Sequence, residues 1–101
     1  MSSPFYYTVP EPEEFPLTPD GQPASAHVRC IIRHLFTHRD CSFSTEELAS
    51  ILLLAPEYIE RTCRRLVALT LVTECAPSVY EYNLGSINTS LQARVEACLL
   101  D

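Results

Sequence analysis

Two helix starts stand twelve residues apart in the middle of this chain. The first is Ser44-Thr45-Glu46-Glu47, a capping box in which the Ser44 side chain caps a helix and Glu47 reaches back to the cap. The second is Pro56, whose missing amide hydrogen costs nothing in a helix's first turn. Between them there is room for only about two helical turns and a tight connection. Two consecutive helices joined by a short turn are therefore required. The first buries Leu48, Ala49 and Leu52, and the second buries Ile59, Thr62, Cys63 and Leu66.

Patterning on either side completes a fold. Upstream, Val28, Ile31, Ile32, Leu35 and Phe36 recur at i, i+3, i+4, i+7 and i+8, one face of an amphipathic helix with Ser25 as its cap. Arg39-Asp40 closes that run, and a short strand at Phe43 follows. Downstream of Leu69 the period shortens to two. Leu71 to Cys75 and Val79 to Leu84 read as strands joined by Ala76-Pro77-Ser78, a hairpin. A last helix, about Ser90 to Leu100, carries Leu91, Val95, Cys98 and Leu99 on one face. The fold class expected is α+β: a three-helix core, a β-hairpin and an additional C-terminal helix.

Residues 1–23 differ in kind. They hold six of the eight prolines, which favour extended chain, and the acids Glu11, Glu13, Glu14 and Asp20 with no base. Phe5, Tyr6, Tyr7 and Phe15 make this stretch too aromatic for a plain solvated tail. The expected division is a Pro-rich acidic N-terminal arm at 1–23 and a folded domain at 24–101. The arm either lies across its own domain or binds a partner. A single domain of 101 residues can bury a modest core without disulfides. No apolar run is long enough to span a bilayer, and the N-terminus lacks the plan of a signal peptide. The reading is a cytoplasmic chain with no membrane partner, in which the five cysteines are reduced.

Residues 47–72, ELASILLLAPEYIERTCRRLVALTLV, resemble the helix-turn-helix core of winged-helix transcriptional regulators of the MarR, ArsR and related families. The likeness rests on Ala49, on Leu54 after the turn, on Pro56, on Arg64-Arg65-Leu66 and on the closing Leu71-Val72. The hairpin stands where those families have the wing, so the resemblance covers about residues 25–84. It implies a winged helix-turn-helix and a small dimeric regulator that binds double-stranded DNA. The second helix of the pair would lie in the major groove. Its early exposed residues carry over as Ala55, Glu57, Tyr58, Glu60 and Arg61, which would meet base edges. Arg64 and Arg65 would be placed for phosphates. An arginine fork can grip a guanine edge or a phosphate with two hydrogen bonds. A homodimer through the first helix, the C-terminal helix or both is implied as well.

Several residues depart from that pattern. Leu53 and Thr70 stand where the families usually have glycine, so positive φ there would carry strain. Wing residues 73–81 include Glu74 and Glu81 and no base, which repels phosphate. Charge also runs against nucleic acid, since the chain has a formal charge of −6 and no lysine. Four of those negative charges, however, belong to residues 1–23. Ile51, Leu53 and Tyr58 add apolar surface that would suit a protein partner, so the alternative reading is a winged-helix interaction module that does not bind DNA.

Enzymatic and metal chemistry have little support. There is no Gly-rich phosphate loop, with Gly21 and Gly85 the only glycines, and no Cys-x-x-Cys pair. No cofactor and no enzyme are expected. Cys30, His34 and His38 fall one turn apart on one helix, the one spacing that could offer zinc ligands. ArsR-like sensors hold metals on helices of this fold. Residues of this kind also form the ordinary margin of a core-packing helix.

Overall fold

The computed structural model describes residues Phe15 to Leu100. Within them the chain runs α1 (Ala26–Thr37), β1 (Phe43–Ser44), α2 (Thr45–Leu52), α3 (Pro56–Ala68), β2 (Val72–Ala76), β3 (Val79–Tyr82) and α4 (Thr89–Leu99). The strands form one antiparallel sheet in the order β1-β3-β2. The architecture is α+β, with four helices packed around a small sheet among the described residues.

Three of the described helices begin where a side chain caps them, and α3 begins at a proline instead. The Ser25 hydroxyl accepts from the Val28 amide at the start of α1. Ser44 accepts from the Glu47 amide at 3.1 Å while Glu47 accepts from the Ser44 amide at 2.8 Å, so the capping box at α2 is complete. A reciprocal cap of this sort contributes about 1 kcal/mol. Pro56 opens α3, and Asn88 caps α4 through the Leu91 amide.

The core collects Val28, Ile31, Ile32 and Leu35 of α1, Leu48 and Ala49 of α2, and Ile59, Cys63 and Leu66 of α3. Tyr80 and Tyr82 of β3 close it from the sheet side, and Val95 and Leu99 of α4 from the end. The Tyr82 hydroxyl donates to Glu96 at 2.7 Å, tying the sheet to α4. Arg29 on α1 donates to the Cys98 carbonyl at 3.0 Å. The apolar stripe of α4 is thus used within the chain. The exposed apolar residues near it are Leu84, Ile87 and Leu100.

The hairpin's boundaries differ from the sequence reading. The hairpin turn is Pro77-Ser78 alone, because Ala76 still pairs with Val79 across an irregularity in the register. β3 stops at Tyr82, where the Asn83 side chain turns to donate to the Thr70 carbonyl at 2.8 Å. The described part of the proline-rich segment is packed: Leu17 is buried, pairs with Pro23 and precedes a turn over Gly21. Phe5, Tyr6, Tyr7, Glu11, Glu13 and Glu14 lie outside the described residues.

The two positions that lack glycine adopt the left-handed conformation all the same, Leu53 with φ 59° and Thr70 with φ 64°. Leu53 ends α2 there, and its amide donates to the Ala49 carbonyl. The side chain is half exposed, so it gains little burial to offset a conformation costing about 1–2 kcal/mol. Thr70 is compensated. Its hydroxyl donates to the Leu69 carbonyl at 2.6 Å and sits 2.7 Å from the Ser86 hydroxyl. Leu53→Gly is expected to raise stability by about 0.5–1 kcal/mol, or roughly 2–6 °C in Tm, whereas Thr70→Gly gives no gain. Thermal unfolding followed by circular dichroism checks the pair, and a fall in Tm for Leu53→Gly contradicts the strain argument.

Candidate functional site

The longest polar helix face belongs to α3. Its buried side is Tyr58, Ile59, Thr62, Cys63 and Leu66, which leaves Glu57, Glu60, Arg61, Arg64 and Arg65 toward solvent or at the margin. A groove of about 560 Å³ runs beside it, lined by Thr45 and Glu46 of α2, by Pro56, Glu57, Glu60, Arg61 and Arg64 of α3, and by Ser78 of the hairpin turn.

Ser78 decides the shape of this groove. Its carbonyl accepts from the Thr45 amide at 3.0 Å and from the Thr45 hydroxyl at 3.2 Å. The Ser78 hydroxyl contacts Glu60 at 3.3 Å, and its amide donates to Glu74 at 3.0 Å. With Ser44 paired to Val79, the hairpin turn ends against the start of α2. The turn is a wall of the groove, not an extension beyond it.

Of the residues expected to meet a partner, the structure brings Glu57, Glu60, Arg61 and Arg64 together along the groove, with Arg65 on the next turn. Ala55 and Tyr58 are corrected. They are 6% and 5% exposed and belong to the core, so neither presents a side chain to a base edge. Tyr58 precedes Thr62 by four residues and Leu66 by eight, which places all three on one helical stripe. Its ring also packs edge-on to His27 of α1, with centroids 6.2 Å apart. That spacing was visible in the sequence. The roles of Thr45, Glu46 and Ser78 were not, because they depend on how the hairpin folds back.

Electrostatics here are mixed. Arg64 and Glu60 form an ion pair at 2.9 Å, and the Glu60 carboxylate raises the Arg64 guanidinium above its ordinary range. Among the described residues Arg61 and Arg65 form no ion pair. On β2 the exposed Cys75 thiol donates to Glu81 at 2.7 Å. Partial desolvation first, and the Glu81 carboxylate second, push that thiol up to about 11. Burial pushes Cys63 up to about 12.

The histidine cluster stays at the helix margin. The His34 and His38 rings lie 4.6 Å apart, and His34 packs edge-on to Phe43 at 4.8 Å. Burial first, then the neighbouring His38, hold His34 below the usual imidazole range. Cys30 is exposed on the same helix, and Cys30, His34 and His38 share a shallow cavity with Leu52. Among the described residues no group of three or more His, Cys, Asp or Glu is arranged to hold a metal ion. No helix among them is long and apolar enough to cross a membrane.

Comparison with known proteins finds no matching family model, no matching curated protein and no matching solved structure.

All five thiols are free, and their environments set an order of reactivity. The thiolate is the nucleophile, so at pH 8 a thiol at about 11 is ionised in about one molecule in a thousand. Brief iodoacetamide treatment of the native chain is expected to label exposed Cys30 well before Cys75, and to leave Cys63 untouched. Peptide mass spectrometry reads the order. Cys75 labelling as fast as Cys30 would mean that its bond to Glu81 does not persist.

Proposed function

We propose that this chain is a winged helix-turn-helix domain that binds double-stranded DNA with α3, as a small cytoplasmic regulator working as a homodimer. The observation that carries the reading is the α3 face, where Arg61, Arg64 and Arg65 stand at i, i+3 and i+4 on the outer side of a helix whose inner side is locked in the core. Element order supports it too. A helix, a two-residue strand, a closely joined helix pair and a hairpin that pairs back onto the first strand is the arrangement a winged helix requires.

The proposal differs from a simple transfer of the family's contacts. With Ala55 and Tyr58 buried, base readout falls to Arg61 and Arg64, with Glu57 placed to accept from a cytosine amine. Arg65 is left for a phosphate. The hairpin contributes no clamp, because it ends at Ser78 and carries Glu74 and Glu81. Few phosphate contacts mean a shallow salt dependence. For a dimer, exposed Leu84, Ile87 and Leu100 supply the apolar surface, since α4's stripe packs within the chain.

A second reading draws on one observation. The groove edge carries Glu46, Glu57 and Glu60, and the half-exposed Ile51 and Leu53 flank the α2–α3 turn. That chemistry suits a protein surface better than phosphate.

Duplex DNA titrated over a salt series separates the two. DNA binding predicts measurable affinity at low salt, with log K falling against log salt by no more than about 3 per domain. Arg61→Ala should cost about 1–3 kcal/mol if its fork meets a base edge. Glu74→Lys should steepen the slope by about 1, by adding a phosphate contact. Absence of duplex binding at low salt, in wild type and in Glu74→Lys alike, overturns DNA binding and selects the protein-docking module.

A further inference from the structure

We propose that Ser78 is a positioning residue for Arg64: by holding Glu60 it keeps Arg64 paired on α3, so that a duplex must compete with a carboxylate for that guanidinium. The inference rests on the reading of α3 as the DNA-binding helix. It gives the hairpin, which carries no base of its own, a part in that binding.

The three arginines of the α3 face are not alike. Among the described residues Arg61 and Arg65 form no ion pair, whereas the Arg64 guanidinium donates to Glu60 Oε2 at 2.9 Å. The other oxygen of the same carboxylate, Oε1, accepts from the Ser78 hydroxyl at 3.3 Å. Both oxygens of Glu60 are thus engaged, one by the hairpin turn and one by the arginine. Holding two long side chains in one geometry is the main cost of a surface ion pair, and a carboxylate already held at one oxygen has less freedom left to lose.

Ser78 can hold Glu60 because its own backbone is anchored. Its carbonyl accepts from the Thr45 amide at 3.0 Å and from the Thr45 hydroxyl at 3.2 Å, and its amide donates to Glu74 at 3.0 Å. The hydroxyl therefore starts from a point tied to α2 and β2, and it meets Glu60 on α3. A second hairpin residue acts on the same guanidinium. Glu60 raises Arg64 most, and the hydroxyl of Tyr80 on β3 adds to the rise. The Arg64 side chain is nevertheless 63% exposed, so it can turn to a duplex without unpacking the core. An exposed pair of this kind holds a group back by no more than about fivefold, which a duplex can overcome and a titration can measure.

The test joins two measurements on the full chain. The first needs no DNA: heteronuclear NMR at low salt, wild type against Ser78→Gly, which removes the hydroxyl, keeps the carbonyl that Thr45 uses and suits the φ of 60°. The Arg64 Nε–Hε signal is expected to shift in the variant while that of Arg61 stays. An unmoved Arg64 signal overturns the proposal. The second is affinity for a random-sequence duplex at low salt. Glu60→Gln is expected to bind about fivefold tighter, and Ser78→Gly about twofold tighter with no change of charge. Glu46→Gln removes an equal charge from the α2 wall of the same groove and leaves the Arg64 pair intact, so it should give less than half the gain of Glu60→Gln. Equal gains from Glu46→Gln and Glu60→Gln, or wild-type affinity in Ser78→Gly, overturn the restraint and leave DNA binding standing. If the Arg64 signal shifts but neither wild type nor any variant binds duplex, DNA binding falls and the restraint falls with it, leaving the Ser78–Glu60–Arg64 contact a structural one.

Discussion

The backbone carbonyl of Ser78 holds the two halves of this domain together. It accepts from both the amide and the hydroxyl of Thr45, at 3.0 and 3.2 Å, at the point where the hairpin turn meets the first turn of α2. Thr45 is buried, so these bonds form away from competing water, where a lost partner costs most. Through Ser78 the sheet is registered on the helix pair, β1 pairs with β3, and Glu60 of α3 gains a contact at the turn. The groove, the direction of the hairpin and the exposure of α3 follow from that junction.

Backbone strain marks the same region. Leu53, Thr70 and Ser78 all have positive φ, and they occupy the α2–α3 turn, the α3–β2 turn and the hairpin turn. Such conformations persist only where the surroundings over-determine them. At Thr70 the determinants are visible as hydrogen bonds to Leu69, Ser86 and Asn83. At Ser78 they are the contacts to Thr45, Glu60 and Glu74. Leu53 has only its capping bond to Ala49 and the tight chain between α2 and Pro56. The turn thus keeps its shape with a leucine that gains little from being there.

Much of the fold was legible in the chain because its signals are local. Ser44 to Glu47 and Pro56 mark two helix starts through capping chemistry, and the period-3.6 and period-2 patterns separate α1 from the hairpin. What was not legible depends on contacts distant in sequence. Nothing local shows that Asn83 leaves the strand to reach Thr70, or that α4 begins at an Asn88 cap instead of nearer Ser90. The site was half legible. The arginines of α3 were expected outside and are there, but Tyr58 was placed among them when its spacing to Thr62 and Leu66 assigns it to the core. With five of its thirteen positions buried, α3 keeps a polar outer face, and the residues at its margins decide what a partner meets.

The proposed DNA binding by an acidic domain needs a surface that keeps the carboxylates aside, which leaves α3 to act without the hairpin. Chemical-shift mapping of the full chain with a short duplex tests this most directly. Perturbed amides are expected from Glu57 through Ala68, with the Arg61 and Arg64 side-chain signals strongest, and little change at Thr73 to Val79. Perturbations centred on the β2–β3 turn or on α1, or none at all, would contradict it.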